Sequence, residues 1–169
     1  MDERAREDFT EFVLARSAVL IRLAFVLTGE QDAAEDLLQT ALTRAAAHWG
    51  RIQGAPEGYV RQIMYREQID GWRRRARRPQ ATATPLPDLP APDPATSVDA
   101  RLALEAALRT LPPGKRAVLV LRYLEDLPEA QVAQLLGCSV GTVRSQTHKA
   151  IAQLRTVLPS LGLTSTEVR

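Results

Sequence analysis

Residues 127–155 have the sequence LPEAQVAQLLGCSVGTVRSQTHKAIAQLR, and this stretch decides the fold of the C-terminal half. Val132, Leu135 and Leu136 have the apolar spacing of a short helix. We expect that helix to end at Gly137, because glycine readily adopts the left-handed conformation of a helix stop. Ser139 follows with a side-chain oxygen suited to cap the next helix. The stretch therefore predicts two helices joined by a tight turn.

The second helix of this hairpin has an apolar back and a polar, basic front. Thr142 and Ser145 are small and polar, early in the helix, where a backbone must approach phosphates closely. A helix of this kind suits the major groove of DNA. An ordinary amphipathic hairpin also has a solvated charged face, so a purely structural hairpin is the alternative. The apolar stripe consists of Val140, Val143, Thr147, Ile151, Leu154 and Leu158, and the front carries Arg144, Ser145, Gln146, His148 and Lys149.

The composition favours a helical protein with a core of leucine, valine and alanine. Of the 169 residues 45% are hydrophobic but only 5% are aromatic, and alternating β-branched runs are few. The formal net charge is only +2, although the charges are unevenly placed. The single cysteine, Cys138, cannot form an internal disulfide, and we expect it to be a small packing residue. Because the chain has no long apolar run and no signal-peptide pattern, we expect a cytoplasmic protein without membrane contact.

A proline-rich stretch at residues 79–98 separates two helical parts. Its six prolines oppose both helix and sheet. About 20 residues of flexible chain span roughly 25 Å, which is comparable with the ~34 Å of one DNA turn. We therefore expect an all-α fold with two small helical domains on a flexible linker, the C-terminal one a helix-turn-helix. The expected domains are 1–78 and 99–158, with linker 79–98 and tail 159–169, and the expected helices before the hairpin are 3–27, 31–48, 56–78, 98–110 and 112–124.

The third helix ends in a cluster of arginines, with the sequence WRRRARRP at residues 72–79. A helix C-terminus favours positive charge, but five arginines exceed what a cap needs, so we expect nucleic-acid contact. The cluster contains Arg73, Arg74, Arg75, Arg77 and Arg78. Upstream aromatic and polar side chains could hold unstacked bases of single-stranded DNA, or the aromatics could be core residues. These upstream residues are Tyr59, Arg61, Gln62, Tyr65, Arg66, Gln68 and Trp72.

The second helix presents a different surface, acidic and polar. Such a face repels phosphate and suits a protein partner with a basic surface, although acidic residues also favour the first turn of any helix. It consists of Asp32, Glu35, Asp36, Gln39 and Thr40. Patterns typical of enzymes are lacking: no glycine precedes Gly114-Lys115 at P-loop spacing, and His48 and His148 stand apart from any metal-binding cluster. We expect neither catalytic activity, nor a bound metal, nor a cofactor.

Three stretches together resemble the extracytoplasmic-function (ECF) sigma factors of bacterial RNA polymerase. DAAEDLLQTALTRA (32–45) is similar to their second region, and YVRQIMYREQIDGWRRR (59–75) to the promoter-melting segment. The span 108–155, which ends in the hairpin, is similar to their fourth region and closest to the sigma-E-like group of actinobacteria. The resemblance implies a non-catalytic initiation factor that binds core RNA polymerase and recognises the −10 and −35 promoter elements. It also makes an anti-sigma factor a candidate partner.

The resemblance implies a role for each surface. The polymerase-binding residues would be Asp32, Glu35, Asp36, Leu37, Gln39 and Thr40. Single-stranded −10 DNA would meet Tyr59, Arg61, Gln62, Tyr65, Arg66, Trp72, Arg73, Arg74, Arg75, Arg77 and Arg78. Duplex −35 DNA would meet Ser139, Gly141, Thr142, Arg144, Ser145, Gln146, His148 and Lys149. Arg66 stands where many members have Asn, and Gln146 where many have Arg, so the promoter sequence is expected to differ.

Two other functions compete with this interpretation. A stand-alone helix-turn-helix regulator would act without core polymerase, but such proteins usually have an α/β receiver or ligand-binding domain in front. The sequence before residue 79 has no strand–helix alternation, which disfavours that class. A helical protein that binds only other proteins would have no use for the clustered arginines.

Overall fold

The computed structural model describes residues 2–76 and 97–158, with side chains at 2–74 and 102–158, and every regular element in these ranges is helical. The chain divides into two compact units, Met1–Arg74 and Arg75–Arg169. The all-α expectation is therefore confirmed. Residues 97 and 98, which we expected at the end of the linker, are already helical. Arg77, Arg78, the rest of the linker and the tail 159–169 lie outside the described residues.

The first unit contains three helices, close to the bounds that the sequence predicts. The first begins after Asp2, whose carboxylate accepts a hydrogen bond from the Ala5 N–H at 2.8 Å, and it ends at Gly29 with φ 82°. That positive φ explains the glycine, because a side chain is strained in the left-handed region. The elements are α1 (Glu3–Thr28), α2 (Gln31–His48), a 3₁₀ turn (Trp49–Arg51) and α3 (Pro56–Ala76).

The core of the first unit lies between α1 and α2 and is closed by one face of α3. Gln68 of α3 donates from Nε2 to the Leu27 carbonyl at 3.1 Å, which satisfies an orphan acceptor near the end of α1. Trp49 is half-buried and packs edge-on against Phe9, with ring centroids 4.9 Å apart. The buried side chains include Leu20, Leu23, Ala24, Leu27, Ala34, Leu37, Leu38, Ala41, Leu42, Ala45, Val60, Met64, Tyr65 and Ile69.

The second unit surrounds a buried arginine. Arg116 is 5% exposed, and its guanidinium donates to three carbonyls, those of Leu108 (3.0 Å), Arg109 (3.2 Å) and Leu111 (3.0 Å). The Leu108 and Arg109 carbonyls lie at the end of α4 and Leu111 follows it, in the region where a helix leaves acceptors without intrahelical partners. The elements are α4 (Ser97–Arg109), α5 (Pro113–Leu119), a π-turn (Val120–Leu124), α6 (Glu129–Leu136) and α7 (Val140–Val157).

The π-turn is a feature that the sequence did not predict. We expected one regular helix over 112–124, but from Val120 onwards the helix widens, and the Glu125 N–H bonds to the Val120 carbonyl at 3.1 Å. The Arg122 guanidinium donates to the Leu127 carbonyl. The Leu127 N–H in turn donates to the Leu121 carbonyl at 3.0 Å. These bonds fold the chain back at this point, and the loop leads directly into α6.

Candidate nucleic-acid interface

The turn between α6 and α7 has the chemistry that the sequence predicts. Gly137 ends α6 with φ 56°, and the Cys138 N–H closes the turn on the Ala133 carbonyl at 3.0 Å. Ser139 caps α7, because its Oγ accepts a hydrogen bond from the Thr142 N–H at 3.1 Å. Both expectations are confirmed. The short turn fixes the angle at which α7 leaves α6, which determines where the front of α7 points.

The structure places the polar side chains of α7 on its outer side. Gly141, Ser145 and His148 follow one another at spacings of four and three residues, so they share one face. All three are exposed, as are Thr142 and Lys149. The inner side packs against α5 and α6 through the buried residues Val143, Ala150, Leu154 and Leu158. Ala150 is a core position that we did not predict, and Val140, Thr147 and Ile151 of the predicted stripe are only half-buried.

Gly141 is not required by the fold. A Cβ added there would meet no atom closer than the Ser139 Oγ at 3.7 Å, which is ordinary van der Waals contact. Glycine in a helix costs about 0.5–1 kcal/mol relative to alanine, so the position has a stability cost without a packing reason. A missing side chain also permits close approach of a ligand backbone.

A polar concavity of about 500 Å³ opens beside the start of α7. Lys115 of α5 contributes a cation, and its Nζ donates to Gln153 Oε1 of α7 at 3.0 Å, which holds the two helices together. The other lining residues are Ser139, Gly141, Thr142, Ser145, Gln146 and Lys149. Helix N-terminal amides and two lysines suit a phosphate group. From the sequence we assigned no role to Lys115, because we considered it only as a possible P-loop lysine. Its place near the start of a short helix before the hairpin is the feature that indicates this position.

Arg144 and Gln146 lie at opposite edges of this front. Arg144 is 68% exposed and forms an ion pair across to α6, where its Nε is 2.7 Å from the Glu129 carboxylate. Gln146 is half-buried on the other side and lines the concavity with Lys115. The front is therefore bordered by a guanidinium on one side and by an amide on the other.

A second polar surface follows the outer side of α3. Tyr59, Gln62, Arg66 and Arg73 recur at spacings of three, four and seven residues, so they form one stripe. Gln62 and Arg66 are exposed, while Tyr59 and Arg73 are half-buried. An aromatic ring and cations on one exposed stripe suit single-stranded nucleic acid, which needs stacking surfaces and positive charge.

The inner side of α3 contains four residues that we expected to meet DNA, and one of them, Gln68, is half-buried and bonded to the Leu27 carbonyl of α1. Tyr65 is 5% exposed, so it belongs to the core, and the structure corrects its assignment to a base-stacking surface. Trp72, seven residues later, shares that side and is half-buried. Arg61 is half-buried, and its Nη2 lies 2.7 Å from the Glu57 carboxylate, which also pairs with Arg16 of α1 at 3.3 Å. DNA contact by Arg61 would require that this network opens.

The arginine cluster at the end of α3 is only partly described. Arg74 is exposed, and Arg73 lies 3.8 Å from the Asp70 carboxylate, a distance at which the pair is loose. The backbone of Arg75 is helical, but its side chain, like all of Arg77 and Arg78, lies outside the described residues.

The acidic patch of α2 is exposed as predicted, except at its last residue. Asp32, Glu35, Asp36 and Gln39 are all exposed, and Thr40 is half-buried. Leu37 is only 7% exposed and packs in the core, so the structure corrects its placement on a docking surface. The spacing explains the error, because Leu37 follows Asp36 directly and therefore points away from it.

The described residues contain no group of three or more His, Cys, Asp or Glu side chains placed to hold a metal ion. None of the described helices is both long enough and apolar enough to cross a membrane.

Two family models match the chain. The model described as Sigma-70 region 2 matches residues 12–78, and the model described as Sigma-70, region 4 matches residues 101–154. The first match includes the acidic patch of α2 and the outer stripe of α3, and the second includes the α6–α7 hairpin.

Curated relatives agree over most of the chain. The RNA polymerase sigma-E factor of Streptomyces coelicolor is 35% identical over 158 residues, which cover 92% of this chain and 89% of that one. The ECF RNA polymerase sigma factor SigL of Mycobacterium tuberculosis is 34% identical over 155 residues, with 88% and 87% covered. The ECF RNA polymerase sigma factor SigE of Mycolicibacterium smegmatis is 37% identical over 164 residues, but the match covers only 64% of that longer chain.

One solved structure has a similar fold. It is the co-crystal structure of the sigma factor RpoE with the anti-sigma factor NepR from Bartonella quintana, with a TM-score of 0.61 at 23% identity. The match covers 90% of this chain and 98% of that one.

Proposed function

The chain belongs to the ECF family of RNA polymerase sigma factors, and we propose that its two helical units divide promoter recognition between them. It binds core RNA polymerase and directs initiation at specific promoters. Its role is regulatory, and we infer that it forms no covalent bond itself, because the polymerase supplies the chemistry. We place its work in the cytoplasm, where core polymerase acts.

For the second unit we propose duplex −35 binding by the front of α7. The supporting observation is that the capped N-terminus of α7, the unneeded glycine at Gly141 and the cations Lys115 and Lys149 surround one concavity. Helix N-terminal amides and lysines hold phosphates and fix the register, while side chains farther along the front reach base edges. His148 and Ser145 lie at the centre of that front, so they are the proposed base-facing residues together with Arg144.

For the first unit we propose contact with single-stranded −10 DNA along the outer stripe of α3. The stripe offers Tyr59 for stacking and Arg66 and Arg73 for phosphates, with Arg74 beside them. Tyr65 is left out because it is buried. Arg66 replaces the amide that many members have at this position, so a cation rather than a hydrogen-bonding amide would meet the flipped base.

We propose that core polymerase docks on the acidic patch of α2, through Asp32, Glu35, Asp36, Gln39 and Thr40. Four of these side chains are exposed in a protein whose formal net charge is positive, and they lie on a helix other than α3, which carries the DNA-facing stripe. We further propose 1–78 and 99–158 as the functional domains, with a linker from 79 that ends before α4 begins at Ser97 and a tail at 159–169. An anti-sigma factor is the candidate regulator, since the similar RpoE was co-crystallised with the anti-sigma factor NepR.

The test is assembly with core RNA polymerase, followed by sequencing of the DNA that the assembled enzyme retains from a genomic library. We expect co-elution of the chain with core polymerase in gel filtration and enrichment of fragments that share two motifs about two helical turns apart. Binding to duplex DNA with equal affinity and selectivity in the absence of polymerase would instead identify a stand-alone regulator. The described part of the first unit has no strand and so shows no α/β receiver, which gives that alternative no support.

A further inference from the structure

The ion pair between Glu129 and Arg144 connects the two helices of the hairpin. Glu129 lies in the first turn of α6 and Arg144 in the second turn of α7, and the Arg144 Nε donates to Glu129 Oε2 at 2.7 Å. The arginine side chain is 68% exposed and the glutamate 31%. The carboxylate is thus partly sheltered against the hairpin, while the guanidinium extends along the edge of the front.

We propose that Glu129 is a positioning residue that directs Arg144 to a base edge and away from the phosphate backbone. This inference rests on the proposed −35 role of α7. An arginine at the edge of a recognition helix can reach either kind of DNA group. The residue that pairs with the arginine determines whether it reaches a base edge or a phosphate, and here that residue is a glutamate on the neighbouring helix.

Charge is the first argument for this choice. A guanidinium paired with a carboxylate is nearly neutral as a unit, so its attraction for a phosphate is weak, and the phosphate is also repelled by the glutamate. A guanine edge is uncharged and presents the acceptors O6 and N7, which arginine binds bidentately. The pair therefore favours a guanine over a phosphate as the third partner.

Geometry is the second argument. The hydrogen bond to Glu129 uses Nε, which leaves the terminal pair of Nη nitrogens as the fork for a base edge. Fixing one side of the guanidinium also reduces the side-chain entropy that Arg144 loses when it binds DNA. The structure therefore assigns to Glu129 the pre-orientation of Arg144.

Fold stability does not explain the pair. Exposed ion pairs typically contribute little to stability. A glutamate in the first turn of α6 also favours the helix dipole, but any acidic residue there would do so without contact to α7. A carboxylate close to DNA carries a cost in binding, so its presence beside the front requires a specific gain.

The experiment uses holoenzyme assembled from the full chain and core polymerase, with promoter duplexes randomised over the −35 element. Bound DNA is sequenced for the wild type, Glu129→Ala, Glu129→Gln and Arg144→Ala. We expect Arg144→Ala to lose the preference for one guanine and Glu129→Ala to reduce that preference about three- to tenfold. Glu129→Gln should restore part of it, because the amide oxygen can still accept from Nε. In Glu129→Ala the released guanidinium should find a phosphate, so the slope of log affinity against log salt should steepen by about one.

Asp126→Asn is the matched control. Asp126 is exposed, precedes α6 and has φ 50°, a conformation that asparagine also tolerates. The Asp126→Asn substitution removes the same charge from the same unit at a residue that is not paired with Arg144. We therefore expect this variant to keep the base preference of the wild type. Thermal unfolding of each variant checks that the hairpin remains folded.

The outcomes separate this inference from the proposed function. If wild-type holoenzyme enriches no −35 sequence, the proposed function is wrong. If it enriches one, and Glu129→Ala keeps or sharpens the guanine preference while Arg144→Ala loses it, the positioning role is wrong and Glu129 only restrains Arg144. If Asp126→Asn changes the preference as strongly as Glu129→Ala, the effect is general electrostatics and the inference fails.

Discussion

At the scale of single residues, Gly141 and Arg116 illustrate two different relations between a residue and the stability of the fold. Gly141 lowers helix stability without filling a tight space, since its nearest potential neighbour is 3.7 Å away. Arg116 has the opposite character, because it is 5% exposed and bonded to three carbonyls inside the unit. We propose that Gly141 is explained by the approach of DNA from outside, whereas Arg116 satisfies buried carbonyls inside the unit.

Gly141→Ala should stabilise the protein and weaken DNA binding. Alanine at this helical position should add about 0.5–1 kcal/mol to the free energy of unfolding, because it lowers the entropy of the unfolded chain. The new methyl group should hinder close approach of the phosphate and reduce holoenzyme affinity for −35 DNA. Denaturant unfolding and a promoter binding titration measure the two effects. If Gly141→Ala gains stability without losing affinity, the DNA backbone does not approach this residue.

Arg116→Ala should destabilise the second unit by about 3 kcal/mol, because the carbonyls at and after the end of α4 would lose the buried guanidinium that donates to them. Denaturant unfolding of the full chain measures the loss. Arg155→Ala is the control, since Arg155 is exposed on α7, and it should change stability by less than about 0.5 kcal/mol. Equal stability of the two variants would show that the Arg116 network does not hold α4 and α5 together.

At the scale of elements, α2 and α3 each have one side buried in the core and an opposite side that is proposed to bind a partner molecule. In α2 the buried leucines alternate with the acidic patch, and in α3 the outer stripe lies opposite Val60, Met64 and Tyr65. The partner-facing side of a helix is thus fixed once its core side is packed.

Asp36→Arg in α2 should reduce the affinity for core polymerase at least about tenfold, because it replaces attraction by repulsion at a basic partner. The fold should be unaffected, since Asp36 is exposed. Asp8→Arg is the control, a charge reversal at an exposed position on α1, and this variant should bind core polymerase as the wild type does. Unchanged binding by Asp36→Arg would show that polymerase docks elsewhere.

The sequence predicts the helices well because strong periodicity and unambiguous caps coincide, as at Gly29, Gly137 and Ser139. The sequence does not predict those features of the structure that depend on tertiary contacts. The π-turn depends on bonds such as that from the Leu127 N–H to the Leu121 carbonyl, which no local pattern encodes. The burial of Tyr65 and the ion pair of Arg61 depend on which side of α3 packs against the other helices. In the sequence alone, an aromatic residue among cations has the same pattern whether it lies in the core or binds nucleic acid.

At the scale of the whole molecule, function requires both units on one promoter. We propose that the second unit reads duplex DNA and that the first holds single strands and polymerase. A flexible linker of about 20 residues, as the sequence predicts, would span roughly 25 Å as a coil and up to ~60 Å as polyproline II. This reach covers one to two turns of DNA, each ~34 Å.

Deletion of residues 81–90 should therefore lower promoter-specific transcription at least about tenfold, because the shortened linker cannot span the two elements. Binding to core polymerase should remain, because the acidic patch is untouched. The control replaces the same ten residues by a glycine-serine sequence of equal length and should keep most activity. Full activity of the deletion variant would show that the spacing is not set by the linker.

The most direct test of the account is transcription by core RNA polymerase with and without this chain, on a promoter recovered from the assembled enzyme. We predict a transcript with one defined 5′ end that requires the chain, is absent with core polymerase alone, and is lost when the −35 or −10 element is replaced. A chain that binds core polymerase and DNA but yields no start site of its own, or the same transcript from core polymerase alone, would contradict the assignment of promoter recognition to these two helical units.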